Sequence, residues 1–140
     1  MRMERKAMIK NKFLAKVLYL GAIGASICML FFVVTCTIIG YDVKEQCADA
    51  KTEYGGECVE ALISLLDDES KSFRSRNSAI WALGQLGDSR ALMALEKYYT
   101  GEIPKKDPLD GGISQYELKK AIKLAVDGLN LTAWAWRRDL

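Results

Sequence analysis

Two patterns of apolar positions organise the chain. From 17 to 41 there is no charged side chain, an uninterrupted run of 25 residues; as a helix it would reach about 37 Å, against roughly 30 Å for the hydrocarbon core of a bilayer. It predicts a transmembrane helix. Beyond it the apolar residues recur at helical spacing. Ala79, Ala82, Leu83 and Leu86 fall at i, i+3, i+4 and i+7 and make one stripe of a helix over 75–86. Gly87 stands where a left-handed C-terminal residue is needed, and Asp88 and Ser89 offer oxygens to cap the next helix, over 90–99 with Leu92, Leu95 and Tyr99 inward. Val59, Leu62, Ile63 and Leu66 make a stripe over 57–66, ended by the acidic and serine-rich 67–72. Leu118, Ala121, Ile122 and Ala125 make another over 114–126, with Gly128 as its stop. The polar stretch 42–56, closing on Gly55-Gly56, reads as a juxtamembrane linker with room for a short helical piece.

The soluble helices repeat. Aligning Val59-x-Ala61-Leu62 with Leu92-x-Ala94-Leu95 gives a spacing of 33, whereas aligning Ala79-Ile80 with Ala121-Ile122 gives 42. The nine extra residues lie in the interval 101–112, which holds both prolines of the chain. Paired-helix repeats run to roughly 33–47 residues. The expected fold is all-α: an N-terminal transmembrane helix followed by a short α-solenoid of two helix pairs. Such a stack needs its ends covered. The tail carrying Trp134 and Trp136 is expected to cover one end, and the 47–58 segment the other.

The residues of this stretch resemble a known family. The Phe73-Arg74, the Ala79-x-x-Ala-Leu-Gly-x-Leu-Gly-Asp88 and the Ala91-x-x-x-Leu95 look like a HEAT-like repeat of the short bacterial, lyase type. The resemblance implies a binding surface rather than chemistry, and a structural arginine–aspartate ladder between units built from Arg74, Arg76 and Asp88. It leaves two alternatives open, since some HEAT-like repeat proteins are lyases or isomerases acting on bilin groups and others could be purely structural assembly subunits.

Charge divides the chain as hydropathy does. Six bases and one acid precede residue 17; the residues just after 41 carry Asp42, Glu45, Asp49, Glu53 and Glu57 against Lys44 and Lys51. The positive-inside rule then predicts a single-pass protein with residues 1–16 cytoplasmic, 17–41 in the cell membrane and 42–140 extracytoplasmic, where 57–140 forms the repeat domain. The net charge of +2 becomes −3 once 1–16 is set aside, since fourteen bases face seventeen acids. With no basic cluster, nucleic acid is an improbable partner. Ala48-Asp49-Ala50 has the form of a cleavage site but lies beyond an apolar run far longer than a signal core, so the anchor is expected to be retained. Val33-Val34-Thr35-Cys36 departs from a lipoprotein site at Thr35. Gly21, Ala25 and Cys28 share a face that could let membrane helices approach, though small residues are common there.

Cys28 and Cys36 lie in the apolar run. Cys47 and Cys58, eleven apart in the exported part, are expected to be joined, the alternative being two free thiols. The chain has no histidine, so the commonest general base and metal ligand is missing. No nucleophile motif or phosphate-cradling loop occurs, and Asp107 and Asp110, beside Lys105 and Lys106, read as a solvated loop. The expectation is a protein that is not an enzyme, with no cofactor and no metal, and with another envelope protein as partner. The predicted contact surface is the helix face carrying Trp81, with Asn77 and Gln85 beside it, its repeat-equivalent Lys123 flanked by Lys120 and Asp127, and the loop 101–112. The alternative for Trp81 is that it fills a groove against that loop.

Overall fold

A computed structural model describes residues 2–105, 111–127, 130 and 132–137, and of 2–11, 134 and 135 the backbone alone. The chain is all-α, with no strand among the described residues. It divides into two compact units, Met1–Thr35 and Cys36–Leu140. Helix α1, Arg2–Tyr54, begins in the first and ends in the second.

In the first unit α1 is long and apolar enough to cross a membrane by length and composition. Every described side chain from 12 to 35 is exposed, Leu18, Leu30 and Phe31 among them. Ser26 and Thr35 turn their hydroxyls back onto the carbonyls of Ala22 and Phe31, which hides these polar atoms against the helix itself.

The second unit opens with a correction to the linker expected over 42–56. Residues 42–54 remain helical, and Cys36, Gly40, Val43, Cys47 and Ala50 are buried along one side of α1. Their spacing is 4-3-4-3, the period of a packing helix. Four of the five side chains are no larger than cysteine or valine and the fifth is absent, so an apolar stripe was hard to see. Gly55 and Gly56, at φ of 72° and 76°, then reverse the chain in a left-handed conformation that other residues resist. The Cys47–Cys58 disulfide is present and closes this turn with Cα atoms 5.0 Å apart.

Helix α2, Cys58–Asp67, starts on a capping box between Glu57 and Glu60. Helix α3, Phe73–Leu86, starts on Ser72, whose hydroxyl accepts from Ser75 N–H, and stops at Gly87 in the left-handed region, as its sequence predicts. Asp88 caps a 3-10 turn, Ser89–Ala91, that leads into α4, Leu92–Tyr98. Helix α5, Gln115–Asp127, starts on Ser114, whose Oγ accepts from Glu117 N–H. The two serine caps, Ser72 and Ser114, are 42 positions apart, equal to the spacing read from the apolar pattern. The final described helix is α6, Ala133–Trp136. The predicted stop at Gly128, the loop aspartates Asp107 and Asp110, and the Trp134 side chain lie outside the described residues.

Polar contacts fix how α2 to α5 meet. At its start α2 reaches Arg90, which bonds Glu57 at 2.6 Å; at its end Asp67 receives Lys97 Nζ at 2.9 Å and the Tyr98 hydroxyl at 2.6 Å. So α2 runs parallel to the segment 90–98. Helix α3 meets α5 where a Cβ on Gly84 would lie 2.8 Å from Ala121 Cα, and near its end Gly87 approaches Leu124 O, so α3 and α5 are also parallel. Leu62, Leu66, Ile80, Leu83, Leu95 and Leu118 are fully buried between these helices.

The arginine–aspartate ladder is not formed as the resemblance implies. Asp88 bonds Arg90 instead, two residues on. Arg76 is buried, donates from Nε to Leu66 O at 2.8 Å, and lies 5.4 Å from the Tyr98 ring centroid. It closes the open carbonyl end of α2 and stacks on α4, so its charge is used within the core wall. The tail is placed by two sets of contacts. The Trp136 ring lies against Gly40 of α1, while Arg137 and Asn130 bond the Gln85 carbonyl at the end of α3.

Candidate functional site

The second unit carries an open cleft of about 440 Å³ lined by Asp42, Gln46, Arg74, Asn77, Ser78, Trp81 and Glu117. Its floor is α3. Arg74, Asn77 or Ser78, and Trp81 follow at i, i+3/i+4 and i+7, so they form one face of that helix. Asp42 and Gln46, four apart, bring the corresponding face of α1 to one wall, and Glu117 on the first turn of α5 makes the other.

Each lining side chain has a local reason for its place. Asn77 is 6 % exposed and acts as a staple: its Nδ2 donates to Gly112 O at 2.9 Å and its Oδ1 accepts from Ser114 N–H at 2.8 Å. That pair aligns the entry of α5 with α3 and carries Glu117 to the cleft. Trp81 is half-buried, with part of its ring on the core and part on the cleft. Gln46 Oε1 is buried with no protein donor among the described residues. Glu117 takes a long ion pair from Lys120 at 3.3 Å, and Lys120 Nζ also stands 5.1 Å from the Tyr116 ring centroid.

The six residues expected on a contact surface are divided by this geometry. Asn77 and Trp81 meet in the cleft. Trp81, Gln85 and Lys120 meet again in a shallow neighbouring dent with Gly84, Ala121 and Leu124. Gln85 is partly committed, because its side-chain oxygen accepts from Asn130 at 2.8 Å. Lys123 and Asp127 are exposed on α5 but line neither depression. Asp42 and Gln46 fall in the stretch 42–56, whose polarity predicts a linker, and Arg74 among the residues that the resemblance assigns to the ladder. The signal that could have found the first two is the 4-3-4-3 spacing of small residues from 36 to 50, which orients the opposite faces of α1.

Chemically the cleft presents an indole, three amide or hydroxyl side chains, two carboxylates and one guanidinium. No cluster of three potential metal ligands occurs among the described residues. The arrangement suits recognition of a mixed polar and apolar surface by hydrogen bonds around an aromatic anchor. A second cleft, of about 390 Å³, lies at the disulfide between Lys51, Glu57, Cys58, Leu86, Asp88, Arg90 and Arg137. Most of its charges are engaged within the fold: Arg90 bridges Glu57 and Asp88, and Arg137 Nη2 donates to Gln85 O at 3.1 Å.

Neither a curated protein nor a solved structure matches the chain. Residues 75–100, which comprise most of α3, the Gly87-Asp88 turn and α4, match the PBS lyase HEAT-like repeat, and the likeness to HEAT-like repeats rests on this segment.

Proposed function

We propose that this chain is a membrane-anchored scaffold that binds another protein, with 17–41 as its anchor, residues 1–16 in the cytoplasm and the helical domain on the extracytoplasmic side. In this reading α2 with α3 and α4 with α5 are two stacked HEAT-like pairs, the partner is a protein of the cell envelope, and the domain carries no chemistry of its own. The repeat match at 75–100 supports a protein-binding role, and the parallel contacts of α2 with α4 and of α3 with α5 support the stack. The observation that carries the site is Trp81, a large half-buried aromatic whose remaining surface faces a three-helix cleft. A ring in that position loses little entropy on binding and can be covered completely by a partner; truncating such an anchor often costs about 2 kcal/mol or more of affinity.

The test is photo-crosslinking in intact cells from a benzoylphenylalanine placed at position 81, compared with one at Met93, which is 85 % exposed and does not line the cleft. A discrete crosslinked protein from 81 and none from 93 is the expected result. Crosslinks from 93 but not from 81 would move the surface away from α3. Trp81→Ala should abolish co-purification of the crosslinked protein while the domain still melts cooperatively.

A further inference from the structure

We infer that the membrane-embedded part of α1 ends at Thr35, and that the uncharged residues 36–41 belong to the water-side domain, with Ile38 and Tyr41 meeting lipid headgroups. The inference rests on the anchor reading above and shortens the span from 17–41 to 17–35.

Two independent observations converge on this boundary. The first is packing. Cys36, Gly40 and Val43 are covered by the domain's own atoms, and a Cβ on Gly40 would stand 2.8 Å from Trp136 Cγ. Trp136 is itself buried, and the residue after it is Arg137, whose guanidinium donates to the Gln85 carbonyl. Gly40 is therefore covered by α6, the helix that carries Trp136. Drawing residues 36–41 into hydrocarbon would pull this covering helix and the arginine that follows it toward the bilayer, where charged side chains are costly. The second is length. Counted from Lys16, the last base before the apolar run, 17–35 is 19 residues and about 28 Å of helix, within the usual range for spanning a core of roughly 30 Å. The full run to residue 41 would overshoot by about 7 Å. The remaining apolar side chains on the outer side of this segment, Ile38 and Tyr41, are exposed at 56 % and 67 %. An aromatic beside an aliphatic residue, just before Asp42, is the composition expected at headgroup level.

The test compares two positions seven residues apart on the same helix face. Phe31 and Ile38 are exposed by the protein to similar degrees, 69 % and 56 %, so only their surroundings can distinguish them. Phe31→Cys and Ile38→Cys, each in the full-length chain in proteoliposomes with a charged, membrane-impermeant maleimide on both sides, are mapped by peptide mass. Labelling at 38 at least tenfold faster than at 31, with 31 reacting only after detergent, is the expected result. Protection of both overturns the boundary while leaving the anchor intact; rapid labelling of both overturns the anchor itself. Gly40→Leu adds a second readout, because the new side chain must displace Trp136 and lower the melting temperature of the domain. A Gly40 facing lipid would accept leucine with no change in melting, and that outcome also overturns the boundary.

Discussion

Gly84→Ala is the sharpest probe of how α3 and α5 are stacked, because two effects of opposite sign compete and their balance is set by one contact. In an exposed helix interior, alanine is favoured over glycine by about 1 kcal/mol. Here the added Cβ would lie 2.8 Å from Ala121 Cα and 2.9 Å from Ala121 Cβ. Carbon atoms prefer about 3.5–4.0 Å, so the helices must separate by roughly 0.7 Å or more at this crossing. The obstructing atoms are backbone and a methyl with no rotamer to change, so relief comes only from moving α5. Moving it pulls on Ser114, whose N–H donates to Asn77 Oδ1 and whose Oγ caps Glu117 N–H at the helix entry. Overpacking of this kind costs about 1–3 kcal/mol. The net expectation is a loss of about 1 kcal/mol for alanine, and more for Gly84→Val, whose branch meets the same wall. For a unit of this size that loss lowers the melting temperature by about 4–8 °C. Urea unfolding of the detergent-solubilised chain, followed by far-ultraviolet circular dichroism with an unchanged slope, measures it. If Gly84→Ala instead stabilised the protein by about 1 kcal/mol, helix propensity alone would be acting and the close α3–α5 approach would be refuted.

Reducing the Cys47–Cys58 bond frees an eleven-residue loop, and loop entropy predicts a loss of about 2–3 kcal/mol; unfolding midpoints that coincide with and without reductant would show that the bridge is absent or idle. Stability should also respond to pH through Tyr54 and Asp68, whose side chains meet at 2.6 Å. Bonds from the Ser70 hydroxyl first and the Tyr54 hydroxyl second hold Asp68 down at about 2, so its contribution is complete above its ordinary value of 3.8 and fades as the pH falls toward 2. The Asp68 hydrogen bond pushes Tyr54 up to about 12, so that contribution is complete below 10 and is lost as the pH rises toward 12. Tyr54→Phe should abolish the alkaline loss and leave most of the acid one; an unaltered alkaline limb would show that the two side chains do not pair.

Helix ends and helix existence were legible in the sequence because their causes are local. Gly87 followed by Asp88 specifies a left-handed stop and a new cap whatever surrounds them, and both form as expected. The repeat spacing of 42 reappears in the caps Ser72 and Ser114 because an insertion between helices leaves their own registers intact. The cysteine pair was legible for the same reason, since eleven residues through Gly55-Gly56 can close on themselves. The fate of residues 42–54 was not. A polar helix packed through cysteine, glycine and alanine has little hydrophobic signature of its own, and its burial depends on the partners that cover it.

What the chain determined alone, then, is its set of helices, its apolar run and its turn chemistry, all of which follow from interactions within a few residues. Only the tertiary structure decided which groups meet. Arg76 closes α2 rather than pairing with Asp88, because the fold brings the Leu66 carbonyl and the Tyr98 ring within its reach. Trp136 sits on Gly40, nearly a hundred positions away, because a missing side chain there leaves the space its ring occupies. Asn77 is spent on the entry of α5, whereas Trp81, one turn further on, is left over the cleft. Such pairings depend on three helices arriving together, and no local pattern of residues contains that information.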